Sequence, residues 1–191
     1  MRRMPPAPLP LSFYRRPALE VARDLLGRRL CRRLPGGRVL AGRIVEVEAY
    51  DGPDDRASHA RAGLTPRTAP MFAAGGIAYV YLVYGMHHCL NVVTGDAGYP
   101  AAILVRAAES PVPGGSASGP GRLTRVFAID RALDGAPLSG PELWLEAGEP
   151  VPDPAVARTP RIGVDYAGPW ARRRMRLLIR GHPAVSRAPL R

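Results

Sequence analysis

The chain has 191 residues, 46% of them hydrophobic, which fits one globular domain and argues against intrinsic disorder. It has no run of about 18 apolar residues, so a membrane-spanning helix is excluded. Its 27 basic residues, every one arginine, outnumber 16 acidic ones, and the net charge of +11 points to a polyanionic partner, nucleic acid first. Residues 1–12, basic and broken by prolines, read as a loose arm rather than a signal peptide. A helix is predicted from about Pro17 to Leu26, with Leu19, Ala22, Leu25 and Leu26 as its apolar stripe and Gly27 ending it. After the turn "LPGG" a strand is predicted over about 38–50, followed by a loop rich in Gly, Pro and Arg. Two β-rich runs, "GIAYVYLVYG" and "HCLNVVTG", meet at "GMH" as a hairpin, and "AAILVRAAES" is a further strand. A flexible connector, "PVPGGSASGPG", leads into the short helix "RLTRVFAI"; "ELWLEAG" and "RMRLLIRG" read as late strands. Strands that are not separated by regular helices predict an α+β domain, mixed and mainly antiparallel, over residues 13–186, with 187–191 as a tail. Cys31 and Cys89 stand apart without metal-ligand spacing and read as reduced, buried thiols, which suits a cytoplasmic protein.

The stretch "GRIVEVEAYDGPDDRASHA", residues 42–60, concentrates acidic residues in a basic chain. Period-two alternation puts Ile44, Glu46, Glu48 and Tyr50 on one strand face and Val45, Val47 and Ala49 on the other. The aliphatic face should be core. The two carboxylates then either pair with arginines on a half-wet sheet surface or perform chemistry, as a carboxylate pair does in sugar hydrolysis. In "AYVYLVYGMHHCLN", Tyr79 and Tyr81 share a face and Tyr84 falls at the hairpin tip. Tyrosines favour half-exposed sheet in any case. They also form platforms on which bases stack, and a ring at a tip is placed to wedge into a base step. His87 and His88, adjacent in a strand, point to opposite faces and are not read as metal ligands.

The segments "RRPALEVARDLLGRRL", "GRIVEVEAYDGPDDRASHARAGLTPRTAPMF", "AYVYLVYGMHHCLNVV", "ILVRAAES", "SGPGRL" with "AID", and "RIGVDYAGPWARRRMRLLIRGHPAVS" follow one another between residues 13 and 186. In that order they resemble the alkyladenine (methylpurine) DNA glycosylase family. The resemblance implies a single α+β domain with a mainly antiparallel curved sheet and a few flanking helices. It also implies a monofunctional hydrolase that flips a damaged purine from duplex DNA and cuts the base–sugar bond with water. On the matching positions, Glu48 is the general base and Arg106 the arginine that holds Glu48 and the water. Leu143 would lend its backbone carbonyl to that water. Tyr50, His59 and Tyr81 form the slot for the extruded base, and Asn91 refuses guanine by collision. Tyr84 is the wedge with Met86 beside it, while Thr65, Arg122 and Arg131 approach the DNA backbone.

The expected substrates are alkylated purines, hypoxanthine and ethenoadenine, and the expected partner is double-stranded DNA containing a damaged base. Neither cofactor nor metal is expected, nor membrane attachment. A monomer is expected, cytoplasmic and nucleoid-associated in a prokaryote. One departure stands out: between "ILVRAAES" and "SGPGRL" the family carries a longer stretch where this chain keeps only "PVPGGSA". A non-catalytic damaged-DNA-binding module with the same fold is the alternative reading. A sugar hydrolase built on Glu46 and Glu48 leaves the basic charge and the tip tyrosine without a use.

Overall fold

The thirteen-residue strand β2 (Val39–Asp51) organises the molecule. In the computed structural model, which describes residues 7–186, one edge of β2 is shared by two partners. β1 (Arg29–Arg33) takes its first half and β8 (Arg176–Ile179) pairs with Glu46 to Glu48. The other edge pairs with β5 (Ala101–Ala108), and the hairpin β3 (Ala78–Val83) and β4 (His87–Val93) continues beyond it. β6 (Leu143–Glu146) closes the far side against β1, and β7 (Val156–Thr159) pairs with β8. Every one of these pairings is antiparallel, in the order β3-β4-β5-β2-β1-β6. The result is the single mixed α+β domain with a curled antiparallel sheet that the sequence predicts.

Three α-helices occur among the described residues: α1 (Leu11–Tyr14), α2 (Ala18–Leu25) and α3 (Pro120–Val126). α2 packs Ala18, Val21, Ala22 and Leu25 into the core beside Ile44, Val47 and Val105. The predicted stripe is therefore rotated: Leu19 is only half-buried and Ala18 and Val21 take its place. Gly27, with φ +87°, follows the helix, and a Cβ there would lie 2.1 Å from the Glu149 carbonyl oxygen. Only glycine allows that approach.

Several expectations change. Residues 1–6 and 187–191 of the expected arm and tail lie outside the described residues. Residues 7–12 are seated rather than loose, since the Leu9 N–H donates to the Leu145 carbonyl and its side chain is buried. β1, β7 and α1 were not anticipated. The expected half-wet face of β2 is absent from Ile44 to Ala49, which are all fully buried: α2 packs on the strand, and the backbone at Ile162 and Ser186 meets Glu48 and Glu46. Register shifts around Glu46 mark a bulge, which bends the strand and interrupts strict alternation. No helix of the described residues is long and apolar enough to cross a membrane.

Candidate active site

The second half of β2, the β3–β4 hairpin, β5 and the loop around residues 160–166 surround a cavity of about 440 Å³. That is within the range of small-molecule sites. Tyr50, His59, Tyr81, Asn91 and Arg106, the residues that the resemblance singles out, all line it. Glu48 lies immediately behind the wall with no exposed surface. Its Oε1 accepts a hydrogen bond from the Ile162 N–H at 2.8 Å. Its Oε2 accepts from the Tyr50 hydroxyl at 3.0 Å and from Arg106 Nη1 at 3.3 Å. All three donors themselves line the cavity, so the carboxylate is suspended from its floor.

Burial pushes the Glu48 carboxyl above its usual range, against the lowering effects of Arg106, Ile162 and Tyr50. That is the direction expected for a group poised to take up a proton. Burial also opposes the charge of Arg106, but Glu48 and Glu46 outweigh it and raise its pKa. Burial and the neighbouring Glu48 push the Tyr50 hydroxyl well up, so it stays a phenol and a donor. The His59 pKa is lowered by burial first and then by Arg67 and Arg61, which keeps the ring neutral near pH 7. Its Nδ1 shares a hydrogen bond with the Tyr79 hydroxyl at 3.1 Å, and its ring meets Tyr81 edge-on with centroids 4.5 Å apart. The Asn91 Nδ2 donates to the Tyr79 carbonyl at 3.0 Å, which fixes the amide in the wall.

Glu46 plays a different part. Its Oε1 accepts from Arg106 Nε at 2.9 Å, Arg176 Nε at 2.7 Å and the Ser186 hydroxyl at 2.8 Å. Its Oε2 accepts from the Ser186 N–H at 2.6 Å. Four donors, two of them guanidinium groups, hold its two oxygens, which marks Glu46 as a structural anion and speaks against the carboxylate-pair sugar hydrolase.

At the hairpin tip Tyr84 is 90% exposed and Met86 71%, and Tyr84 reaches the cavity mouth. Thr65 is half-buried, exchanging hydrogen bonds with Thr68 that shape its loop. Arg122 on α3 and Arg131 in the turn after it are exposed. Leu143 does not join them. It is buried in β6 opposite Arg32, at the other end of β2, and the main-chain group beside Glu48 belongs to Ile162 instead. The expectation failed because a backbone contribution leaves no mark on residue type. A second missed feature is the buried pair Arg161–Asp55, with contacts of 2.5 and 2.9 Å. Arg161 also donates to the Ala49 carbonyl and stacks 4.7 Å from the Tyr50 ring centroid, tying the 160–164 loop to the strand that carries Glu48.

Residues 12–183 match the model of the methylpurine-DNA glycosylase family. A Myxococcus xanthus protein provisionally named a 3-methyladenine DNA glycosylase is 55% identical over 95% of this chain and 94% of its own length. A Methanocella arvoryzae protein with the same provisional name is 50% identical over 95% of this chain and 97% of its own. The human DNA-3-methyladenine glycosylase is 42% identical over 93% of this chain and 67% of its own. With its curled sheet, its ring-lined cavity and a match across nearly its whole length, the chain belongs to the methylpurine-DNA glycosylase family, and with it to the hydrolases that cleave N-glycosidic bonds.

Proposed function

We propose that this chain acts on duplex DNA as a monomer, flips a damaged purine into the cavity and hydrolyses its bond to deoxyribose. The substrates are methylated purines such as 3-methyladenine, together with hypoxanthine and 1,N6-ethenoadenine. Extrusion costs a few kcal/mol, least for damaged or mispaired bases. The exposed Tyr84 at the cavity mouth supports a wedge that fills the vacated stack. The purine enters between Tyr50 and the His59–Tyr81 pair, and Asn91 stands against an exocyclic amine. Glu48 then takes a proton from the attacking water, whose oxygen bonds to the anomeric carbon as the purine departs with the electron pair. General bases of this kind contribute about 10²–10⁴-fold. The negative charge left near the sugar also favours the developing oxocarbenium ion. Arg122, Arg131 and Thr65 hold the backbone, and Met86 supports the wedge.

The observation that carries this reading is the Glu48 carboxylate, fully buried and held by three donors that all line the cavity. The test is Glu48→Gln. Incubated with duplexes containing 3-methyladenine, hypoxanthine or ethenoadenine, then treated with alkali to break abasic sites, it should release no base above background. It should still retard the damaged duplex on a gel. Wild-type-like excision by the variant removes Glu48 from its role. If the wild-type protein binds damaged duplex yet releases none of the three bases, the chain is a binding module.

A further inference from the structure

Three arginines adjoin the cavity, and their charges are not equivalent. Arg106 is neutralised by Glu46 and Glu48, and Arg161 by Asp55. Arg67 has no ion pair among the described residues. It sits on the rim, lining both the cavity and a neighbouring cleft of about 410 Å³ on the outer side of β3. Its guanidinium lies 5.7 Å from the centroid of the Tyr81 ring, within reach of a purine held against that ring. The other nearby cation available by titration, His59, is kept neutral by burial and by Arg67 itself. Arg61 also has no ion pair among the described residues, but it stacks over the Tyr166 ring and is not itself in the cavity wall, so the uncompensated charge that a base meets in the wall is that of Arg67.

We propose that Arg67 is a specificity-determining residue that sorts lesions by charge, favouring excision of neutral purines over cationic ones. The inference rests on the glycosylase reading above. While the site is open, water screens the guanidinium. Once a base fills the slot and DNA covers the mouth, water leaves and the interaction strengthens.

When the glycosidic bond breaks, its electron pair goes to the purine. A neutral purine leaves with growing negative charge, and the guanidinium stabilises that charge by hydrogen bonding and Coulomb attraction. The free base later takes its proton from solvent. A cationic N-alkylated purine is repelled as it enters, and the same electron pair merely neutralises it. Measured from the stacked, unflipped base, the transition state of a neutral lesion is lowered, while for the cationic lesion repulsion on entry and relief on cleavage cancel. Discrimination therefore belongs in kcat/KM, where entry and chemistry both count.

The experiment compares wild type, Arg67→Gln and Arg67→Lys under single-turnover conditions. Second-order constants are measured on duplexes of one sequence carrying hypoxanthine, neutral, or 7-methylguanine, cationic. Because Arg67 is exposed, the variants are expected to fold, and melting curves check this. Any general loss of DNA attraction scales both constants alike, so the readout is their ratio. In Arg67→Gln the hypoxanthine to 7-methylguanine ratio should fall about tenfold, and Arg67→Lys should retain most of it. A ratio that stays within about twofold of wild type overturns the inference, whatever happens to the absolute rates. So does a wild-type protein that excises 7-methylguanine but not hypoxanthine. A wild-type protein that excises neither refutes the glycosylase reading itself, a result separate from the ratio.

Discussion

Glu46 and Glu48 stand two positions apart on β2, both without exposed surface and both touching Arg106, yet they answer to opposite demands. Glu46 is saturated by two guanidinium groups and both donors of Ser186, so its charge is compensated where it is buried. Removing it would leave Arg176 without its carboxylate and Arg106 with Glu48 alone, a loss of about 3–5 kcal/mol for a broken buried ion pair. Glu48 is left with a raised pKa, because burial outweighs its donors. A carboxyl whose pKa is higher folded than unfolded stabilises the fold below the unfolded value, and that contribution is lost as pH rises through the folded value. Wherever Glu48 is ionised above the unfolded value, its raised pKa is a cost to the fold, one that the proposed role as general base would explain. The two substitutions should therefore diverge. Glu46→Ala should unfold far more readily than wild type in urea at pH 7. Glu48→Gln should melt higher than wild type at pH 7, with the gap closing as pH falls from the raised folded value towards the usual carboxylate value of 4.5 and staying closed below it. Thermal melts across pH check this, and a Glu48→Gln variant that melts lower at pH 7 would mean that Glu48 is a structural ion like its neighbour.

The β3–β4 hairpin separates folding from function within one element. The Met86 N–H returns to the Val83 carbonyl at 3.1 Å, and Tyr84 and Gly85, with φ of +50° and +68°, form the centre of the turn. Paired positive φ values suit the right-handed twist of the flanking strands, and Asn-Gly is the usual choice there. A tyrosine at the first position is strained by about 1 kcal/mol, and at 90% exposure it has little packing to offset that strain. Tyr84→Gly relieves the strain but gives up unfolded-chain entropy of similar size, so stability should stay within about 0.5 kcal/mol of wild type. The fluorescence change of an ethenoadenine duplex, which reports the base leaving the stack, should be lost. A retained signal would take the wedge away from Tyr84. This hairpin was legible because its tyrosines alternate and cluster, and β5 because its eight residues form a continuous, largely apolar run, all of them buried. β1 was not, because Leu30 and Cys31 are adjacent and both buried, which leaves no alternation to read. β7 is four residues, none of them buried. The bulge at Glu46 and the Ile162 N–H are backbone features that residue types do not announce, and the resemblance placed Leu143 where Ile162 stands.

At the scale of the whole molecule, the buried charges among the described residues nearly balance. Glu46, Glu48, Asp55 and Glu146 are buried, and so are Arg106, Arg161 and Arg176. The described interior thus consumes about as many carboxylates as arginines, and the excess of arginine among the described residues is left to their surface. Arg67, Arg122 and Arg131 are exposed, and Arg67 and Arg131 line the cleft beside the cavity mouth. If these groups contact phosphates, each contact releases counterions, and the apparent affinity falls with salt with a log–log slope of about −0.9 per contact. On the proposed reading, the chemical step takes place in a slot closed to solvent by the flipped base, where added salt has little access. Salt should therefore act on engagement and hardly on turnover. With enzyme limiting and below saturation, excision should drop steeply between about 50 and 200 mM salt. With enzyme saturating, the single-turnover rate should change little over the same range. Arg122→Ala should make the subsaturating slope shallower by about one unit and leave the saturated rate intact. Equal salt sensitivity in both regimes would place the ions in the site itself, and a flat subsaturating profile would mean that the surface charge of this chain is not engaged with DNA.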